Sequence, residues 1–335
     1  MEEKKNSFKT ITWILTDKCD LACKFCFCRK TGIEVDDATL EKGIEYIKEK
    51  IKDPNTTFEV QVWGGEILTM DPKKVNYILD RLEQPNVFFT SQSNLMNLNE
   101  ENLKLIKRLK TLNTSFDYYG RFSTTEQKIK WINNVKYLKS QGVDLLCMFA
   151  LTKQMIETVN PETVFDFMLA LGIKDIELER MIVPLRHIPT MDTMIPDPDV
   201  LDEWLFKAYL SYEKYKKDGF RVLSFECLEE SLRYVYFYEH GRTCSENNIT
   251  IDPFGNIFQC YMTRNTPFGT VFDGENDEKF KECLLKEKEI RQECLNCDLF
   301  EYCKGDCPHL FWKNGRCSVS KKIYKYLLLK NENKD

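Results

Sequence analysis

Apolar positions recur along the first half of the chain in two alternating rhythms. Short stretches with strand-like alternation and composition run over Lys9–Leu15, Thr57–Val62, Asn86–Thr90, Thr111–Phe116, Asp144–Phe149 and Asp175–Met181. Between them the apolar spacing widens to three and four residues. Leu40, Ile44, Ile47 and Ile51 form one stripe, and Val75, Ile78, Leu79 and Leu82 the next. Leu103, Ile106 and Leu109 follow, then Ile129, Ile132, Val135 and Leu138. Stripes at that period are the apolar faces of amphipathic helices. Strand and helix in alternation predict an α/β fold with a parallel sheet and right-handed crossovers. Six such units are too few for a closed eight-fold barrel, so the expectation is a partial (β/α)6 barrel with functional groups at the C-terminal ends of its strands.

The pattern changes after residue 183. Pro184–Pro198 is rich in Pro, Thr and Met and reads as a loop, and helical spacing returns at about 199–216 and 226–239. From Cys244 the chain is turn-rich and full of cysteine. Ile249–Ile251 and Ile257–Cys260 flank Pro253-Phe254-Gly255-Asn256, a hairpin signal. The expected domains are therefore 1–183, a linker with bridging helices at 184–240, and a small cysteine-rich domain at 241–335, of the kind that needs metal as its staple.

Composition narrows the chemistry. The net charge is −5 with both signs interspersed, which argues against a nucleic-acid partner. No apolar run is long enough for a membrane span, and the start, MEEKKNSFKT, is not a signal segment, so a cytoplasmic location is expected. Fourteen cysteines in a reducing compartment point to metal rather than disulfides. They gather at the two ends: four between Cys19 and Cys28, eight between Cys244 and Cys317, with Cys147 and Cys227 alone between.

Directly after the first strand comes Cys19-Asp-Leu-Ala-Cys23-Lys-Phe25-Cys26. Three thiolates on one loop can hold three irons of a 4Fe–4S cube and leave the fourth open to a chelating cofactor. A zinc loop completed by Cys28 is the alternative. The spacing, with Phe25 before the third cysteine, resembles the signature of the radical S-adenosylmethionine (radical SAM) superfamily, and Cys28 lies outside it. Trp63-Gly64-Gly65-Glu66 ends the second strand and is similar to the superfamily's glycine-rich turn at the amino group of the cofactor's methionine. Ser115-Phe116-Asp117 resembles a ribose-side element, with Tyr118 where a glycine is usual, and Ser91–Asn94 stands in the place of a further loose match. The resemblance thus implies cofactor contacts from Phe25, Gly64, Gly65, Glu66, Asn94, Ser115 and Arg180, although Arg180 and Glu179 can equally pair with each other. An ordinary loop reading remains open for the Ser115 and Asn94 elements.

The C-terminal array is Cys244, ten residues, Gly255, four residues, Cys260, then Cys294-x2-Cys297-x5-Cys303-x3-Cys307 and, nine residues on, Cys317. Seven cysteines in this order resemble the SPASM extension of radical SAM enzymes; two zinc sites are the alternative. The resemblance implies two auxiliary 4Fe–4S clusters, one on Cys244, Cys260 and Cys307 and one on Cys294, Cys297, Cys303 and Cys317. Cys227 is the candidate for the missing eighth ligand, or else a helix-buried thiol. Cys147 and Cys283 are read as core and incidental.

Three clusters and S-adenosylmethionine then imply a radical enzyme acting on a ribosomally made peptide or a protein, giving a crosslinked or oxidised side chain. Its expected partners are that substrate and an electron donor such as flavodoxin or ferredoxin; since the first strand starts by residue 9, either a separate leader-binding protein or the barrel mouth with the 184–200 loop is expected to grasp the substrate. Formylglycine formation of the anaerobic sulfatase-maturase kind is disfavoured, because Tyr261 stands where those enzymes carry an Asp base; Tyr261 can itself move a proton. A small-molecule or nucleotide substrate is the remaining alternative. Trp204, Tyr209, Tyr212 and Tyr215 read as the apolar side of a helix rather than as peptide contacts.

Overall fold

The computed structural model describes residues 7–28, 30–181, 183, 191–233 and 244–332. Residues 184–190 of the expected linker and 234–239 of the expected second helix lie outside them. The six anticipated strands form, as β1 (Ser7–Thr16), β2 (Thr56–Gly64), β3 (Val87–Ser93), β4 (Thr111–Ser115), β5 (Leu145–Leu151) and β6 (Asp175–Arg180). All neighbours among them pair in parallel. The intervening helices start where side-chain caps place them. Asp36, Asp71, Asn99, Thr124 and Asn160 each accept a hydrogen bond from a first-turn N–H, satisfying donors a helix end otherwise leaves orphaned.

Alternation along each strand separates two chemistries. In β2, Phe58, Val60 and Val62 are buried, and in β5 Leu145, Cys147, Phe149 and Leu151 are buried. Many of these positions join the sheet-and-helix core, with Trp13 closed against Gly43 of the first helix. The opposite parity carries Thr12, Gln61, Gln92, Asn113, Met148 and Glu179, which line the barrel interior. A partial barrel whose inner wall is largely amide, hydroxyl and carboxylate groups is a receptacle rather than a packed core.

The expected hairpin at Pro253–Asn256 forms, but its docking beside β1 and a seventh parallel strand were not anticipated. β7 (Arg221–Val222) adds a further parallel strand beside β6. At the other edge β8 (Asn248–Ile251) pairs in parallel with β1, and β9 (Asn256–Phe258), β10 (Gly269–Thr270) and β11 (Gly274–Glu275) continue outward as antiparallel neighbours. One sheet of order β11-β10-β9-β8-β1-β2-β3-β4-β5-β6-β7 therefore runs across the expected domain boundary near residue 240. Two-residue strands carry no periodicity of their own, and edge pairing is decided by what lies beside them.

Charge locks this seam. Arg264 is fully buried and grips both carboxylate oxygens of Asp17, at the end of β1, at 3.0 and 3.1 Å. Its Nε reaches Asp252, in the β8–β9 turn, at 3.4 Å. Asp17 also accepts from Thr31, and Asp252 accepts the turn N–H groups of Phe254 and Asn256. On the opposite side, the helix Pro198–Tyr215 buries Trp204, Tyr209 and Tyr212. Among the described residues no helix is long and apolar enough to cross a membrane.

Removing one partner of a buried ion pair strands the others, so R264M is expected to lower unfolding free energy by about 3–5 kcal/mol in urea titrations. A loss below about 1 kcal/mol, the scale of an exposed pair, would place the seam's strength elsewhere. Glu177, inside β6, is pushed up to about 7 by burial and by neighbouring Glu179. Between its ordinary value of 4.5 and about 7 the folded chain holds a proton the unfolded chain has released, so this group's contribution falls as pH rises through that window. E177Q should therefore gain stability over the parent on going from pH 4.5 to pH 8; a pH-independent difference would contradict the assignment.

Candidate functional site

The C-terminal ends of β1 to β6 open into a cavity of about 510 Å³ lined by Cys19, Cys23, Cys26, Gly64, Gly65, Glu66, Asn94, Ser115 and Arg180, and also by Cys260 and Tyr261. The cysteine loop is fastened to the strand ends by backbone bonds: Lys24 N–H to Gly120 O at 2.7 Å, and Glu66 N–H to Lys18 O at 2.8 Å. Gly65 is required by this approach, since a Cβ there would lie 2.3 Å from the Lys18 carbonyl oxygen, and one at Gly64 would lie 2.6 Å from that of Thr16.

Glu66 departs from the simple expectation of a carboxylate held ready for an ammonium. It is buried and accepts from Leu68 N–H, Ser93 Oγ and Asn94 N–H at 3.0, 2.7 and 2.7 Å. Burial pushes its carboxyl up to about 7 against those three donors. Its visible work is to join the glycine turn to the end of β3. Asn94 continues the chain of bonds to Asp20, at 2.7 Å, and stands 3.9 Å from the Cys19 sulfur. Ser115 accepts from Gln92, 3.1 Å away, across the cavity floor.

Asp117 and Arg121 form the charged wall. Asp117 is buried, accepts Ala150 N–H at 2.9 Å, and is bridged by Arg121 at 2.6 Å. Burial pushes its carboxyl up to about 6, with Arg121 opposing. The guanidinium lies 3.8 Å from the Cys23 sulfur and over the Phe25 ring. Cys28, outside the signature spacing, bonds to Cys26 and holds that thiol below its ordinary value. Cys28 also meets Tyr261. Tyr261 packs edge-on between Phe27 and Trp63, with Arg264 over its ring.

Arg180 does not pair with its neighbour Glu179. It makes a two-pronged bond to Asp306, at 3.0 and 3.1 Å, and a third to Ser318 at 2.9 Å. Burial works against ionised Asp306, but Arg180 beside it holds its carboxyl below the usual range. A second cavity, of about 230 Å³, holds Cys294, Cys297, Cys303 and Cys317 with Asp306, Trp312 and Arg316. Cys244, Cys260 and Cys307 form a separate neighbourhood, in which, after burial, Cys260 and Cys307 help raise the Cys244 thiol and Cys307 helps raise that of Cys260. Cys227, on the helix Leu223–Arg233, is exposed rather than a helix-buried thiol, and partial desolvation and then Glu177, Glu230 and Glu226 raise its pKa. Cys147 and Cys283 are buried. Among the described residues no three His, Cys, Asp or Glu donors are drawn in to hold a metal ion directly.

Arg121, Arg264, Asp306 and Glu287 were invisible as site residues in the sequence. Each is a common charged residue whose only distinguishing feature is burial against a thiol-bearing loop, and that is a tertiary property.

The comparisons agree with the geometry. A family model described as the radical SAM superfamily matches residues 13–161. The radical SAM cyclopropyl synthase TigE of Paramaledivibacter caminithermalis is 21% identical over 373 residues, spanning 99% of this chain and 76% of that protein. Among solved structures, anSMEcpe with bound AdoMet superposes with a TM-score of 0.78 at 16% identity, covering 98% of this chain and 94% of that one. Streptococcus suis SuiB bound to precursor peptide SuiA gives 0.63 at 15% identity, covering 92% and 75%. These likenesses establish the fold. The cysteine loop, the glycine turn and the Asp117 wall all fall inside the matched residues, so residues 13–161 carry a radical SAM domain.

Proposed function

We propose that this chain modifies a ribosomally made peptide or a protein side chain by radical chemistry, using one cluster on Cys19, Cys23 and Cys26 and two auxiliary clusters on the C-terminal cysteines. The carrying observation is the large cavity itself. Thiols of the cysteine loop, with Cys260 and Tyr261 of the C-terminal array beside them, line it together with Thr12, Gln61, Gln92, Asn113 and Gln259. Amide and hydroxyl groups of this kind match the donors and acceptors of an extended peptide, and the room is ample for a side chain beside a nucleoside. TigE, anSMEcpe and SuiB, by their names or bound peptides, lend the same direction.

The residues fit the cofactor: three thiols on one loop for three irons, two glycines that let backbone come close, and a polar wall for the remainder. When bound, the reduced cluster cleaves S-adenosylmethionine to methionine and a 5′-deoxyadenosyl radical, which takes a hydrogen atom from the substrate. The chain's own work is to orient and to exclude water. Gly64 and Gly65 shape the approach, Glu66 and Asn94 hold the strand ends to the cysteine loop, and Tyr261 closes the mouth against Phe27 and Trp63. An electron donor of the flavodoxin or ferredoxin class completes the partners. Tyr261 engaged by Arg264 and packed between two rings is a poor general base, which weighs against formylglycine formation.

Anaerobic reconstitution should give about twelve irons per chain, falling to about eight in the C19A/C23A/C26A variant with loss of 5′-deoxyadenosine formation. Two zincs and no iron would end this reading. Arg121 aims positive charge at Cys23, which favours the more negative, reduced cluster. R121Q should lower that cluster's midpoint potential, read by EPR-monitored titration without S-adenosylmethionine, and D117N should raise it. Unchanged potentials in both would remove Arg121 from the electronic role.

A further inference from the structure

Cys244, Cys260 and Cys307 supply three ligands where a closed four-iron cube needs four. Cys227 stands elsewhere, among Glu177, Glu230 and Glu226. The group that does stand there is a carboxylate. Glu287 is the last residue of the helix Asp277–Glu287, whose other charged side chains face solvent, and with Cys283 it is one of two buried residues of that helix. It is 5% exposed, an unusual place for a glutamate outside a bonded or ligating role. Its Oε1 accepts the backbone N–H of Cys244 at 2.5 Å, and its carboxylate also meets the Cys244 thiol.

The neighbourhood is built for thiolates. Cys260 receives the backbone N–H groups of Met262 and Thr263, and the Cys307 N–H is held by Asp306 at 2.9 Å. After burial, the charges that act most on Cys244 come from Glu287, Cys260 and Cys307, in that order. Four anionic donors thus converge from four separate segments: the short helix at Cys244, the β9 end, the helix ending at Glu287, and the loop at Cys307. A four-iron core among them would balance their charge.

We propose that Glu287 is the fourth protein ligand of the cluster held by Cys244, Cys260 and Cys307, with one carboxylate oxygen on iron and the other receiving the Cys244 N–H. This rests on the auxiliary-cluster reading above. It closes the iron that three cysteines alone would leave open to a substrate thiol. A carboxylate is a harder donor to iron than a thiolate, so this iron differs in character from the three held by cysteine.

The test uses the full chain carrying C19A/C23A/C26A, reconstituted anaerobically, reduced with dithionite and exposed to 13C-cyanide. The parent should hold about eight irons and show no cyanide coupling in its hyperfine spectrum. E287A should keep its iron and acquire 13C coupling, and E287C should again bind none. Should E287A lose about four irons, restoration by E287C but not by E287Q would support ligation, whereas restoration by E287Q would reduce Glu287 to a hydrogen-bond acceptor and overturn the proposal. Equal cyanide binding by the parent and E287A, or identical spectra of the two, would also overturn it. A parent that holds only about four irons would instead sink the two-cluster reading itself.

Discussion

The arrangement of this molecule depends on the desolvated contact between Arg264 and the carboxylates of Asp17 and Asp252. β1 carries the cysteine loop at its end, and the β8–β9 hairpin carries Cys260 and Tyr261 just after β9. Only where the two elements are held side by side does one cavity acquire both a loop of three thiols and a wall from the C-terminal array. Three charges out of water are costly, and replacement by apolar groups can match them in stability. What a guanidinium fork adds is register: two oxygens of Asp17 and one of Asp252 fit it in one orientation.

The same device recurs at the other loops. Arg121 with Asp117 pins the turn after β4 to Cys23, and Arg180 with Asp306 pins the end of β6 to the second cysteine cavity. Each pair joins segments whose positions matter to sulfur atoms, and each puts a fixed positive charge beside a thiol-rich site. Small cysteine-rich segments bury little apolar area, so their positions are set by ionic and metal bonds rather than by a core of their own. The helix Pro198–Tyr215, by contrast, is held through Trp204, Tyr209 and Tyr212 in ordinary packing.

Legibility followed the range of the interaction that decides each feature. The six long strands, the amphipathic helices and the hairpin at Pro253–Asn256 are local patterns, and they stand within a few residues of where periodicity puts them. The cysteine spacings are local too. β7 was missed because two residues have no period, and the pairing of β8 with β1 was missed because a strand's sequence does not name its neighbour. Glu66 shows the same limit within a motif: its position was readable, but its commitment to Ser93, Asn94 and Leu68 depends on where β3 ends.

By itself the sequence determined the strand–helix alternation, the barrel class, and the two groups of thiols at opposite ends of the chain, because hydrophobic period and cysteine spacing act over a few residues. Tertiary structure alone decided that these ends meet across one cavity, that Arg180 serves Asp306 rather than Glu179, and that Glu287, one charge among many on its helix, turns inward to Cys244. Those choices rest on burial and on charges brought together from segments far apart in the chain, and neither is written in any local pattern.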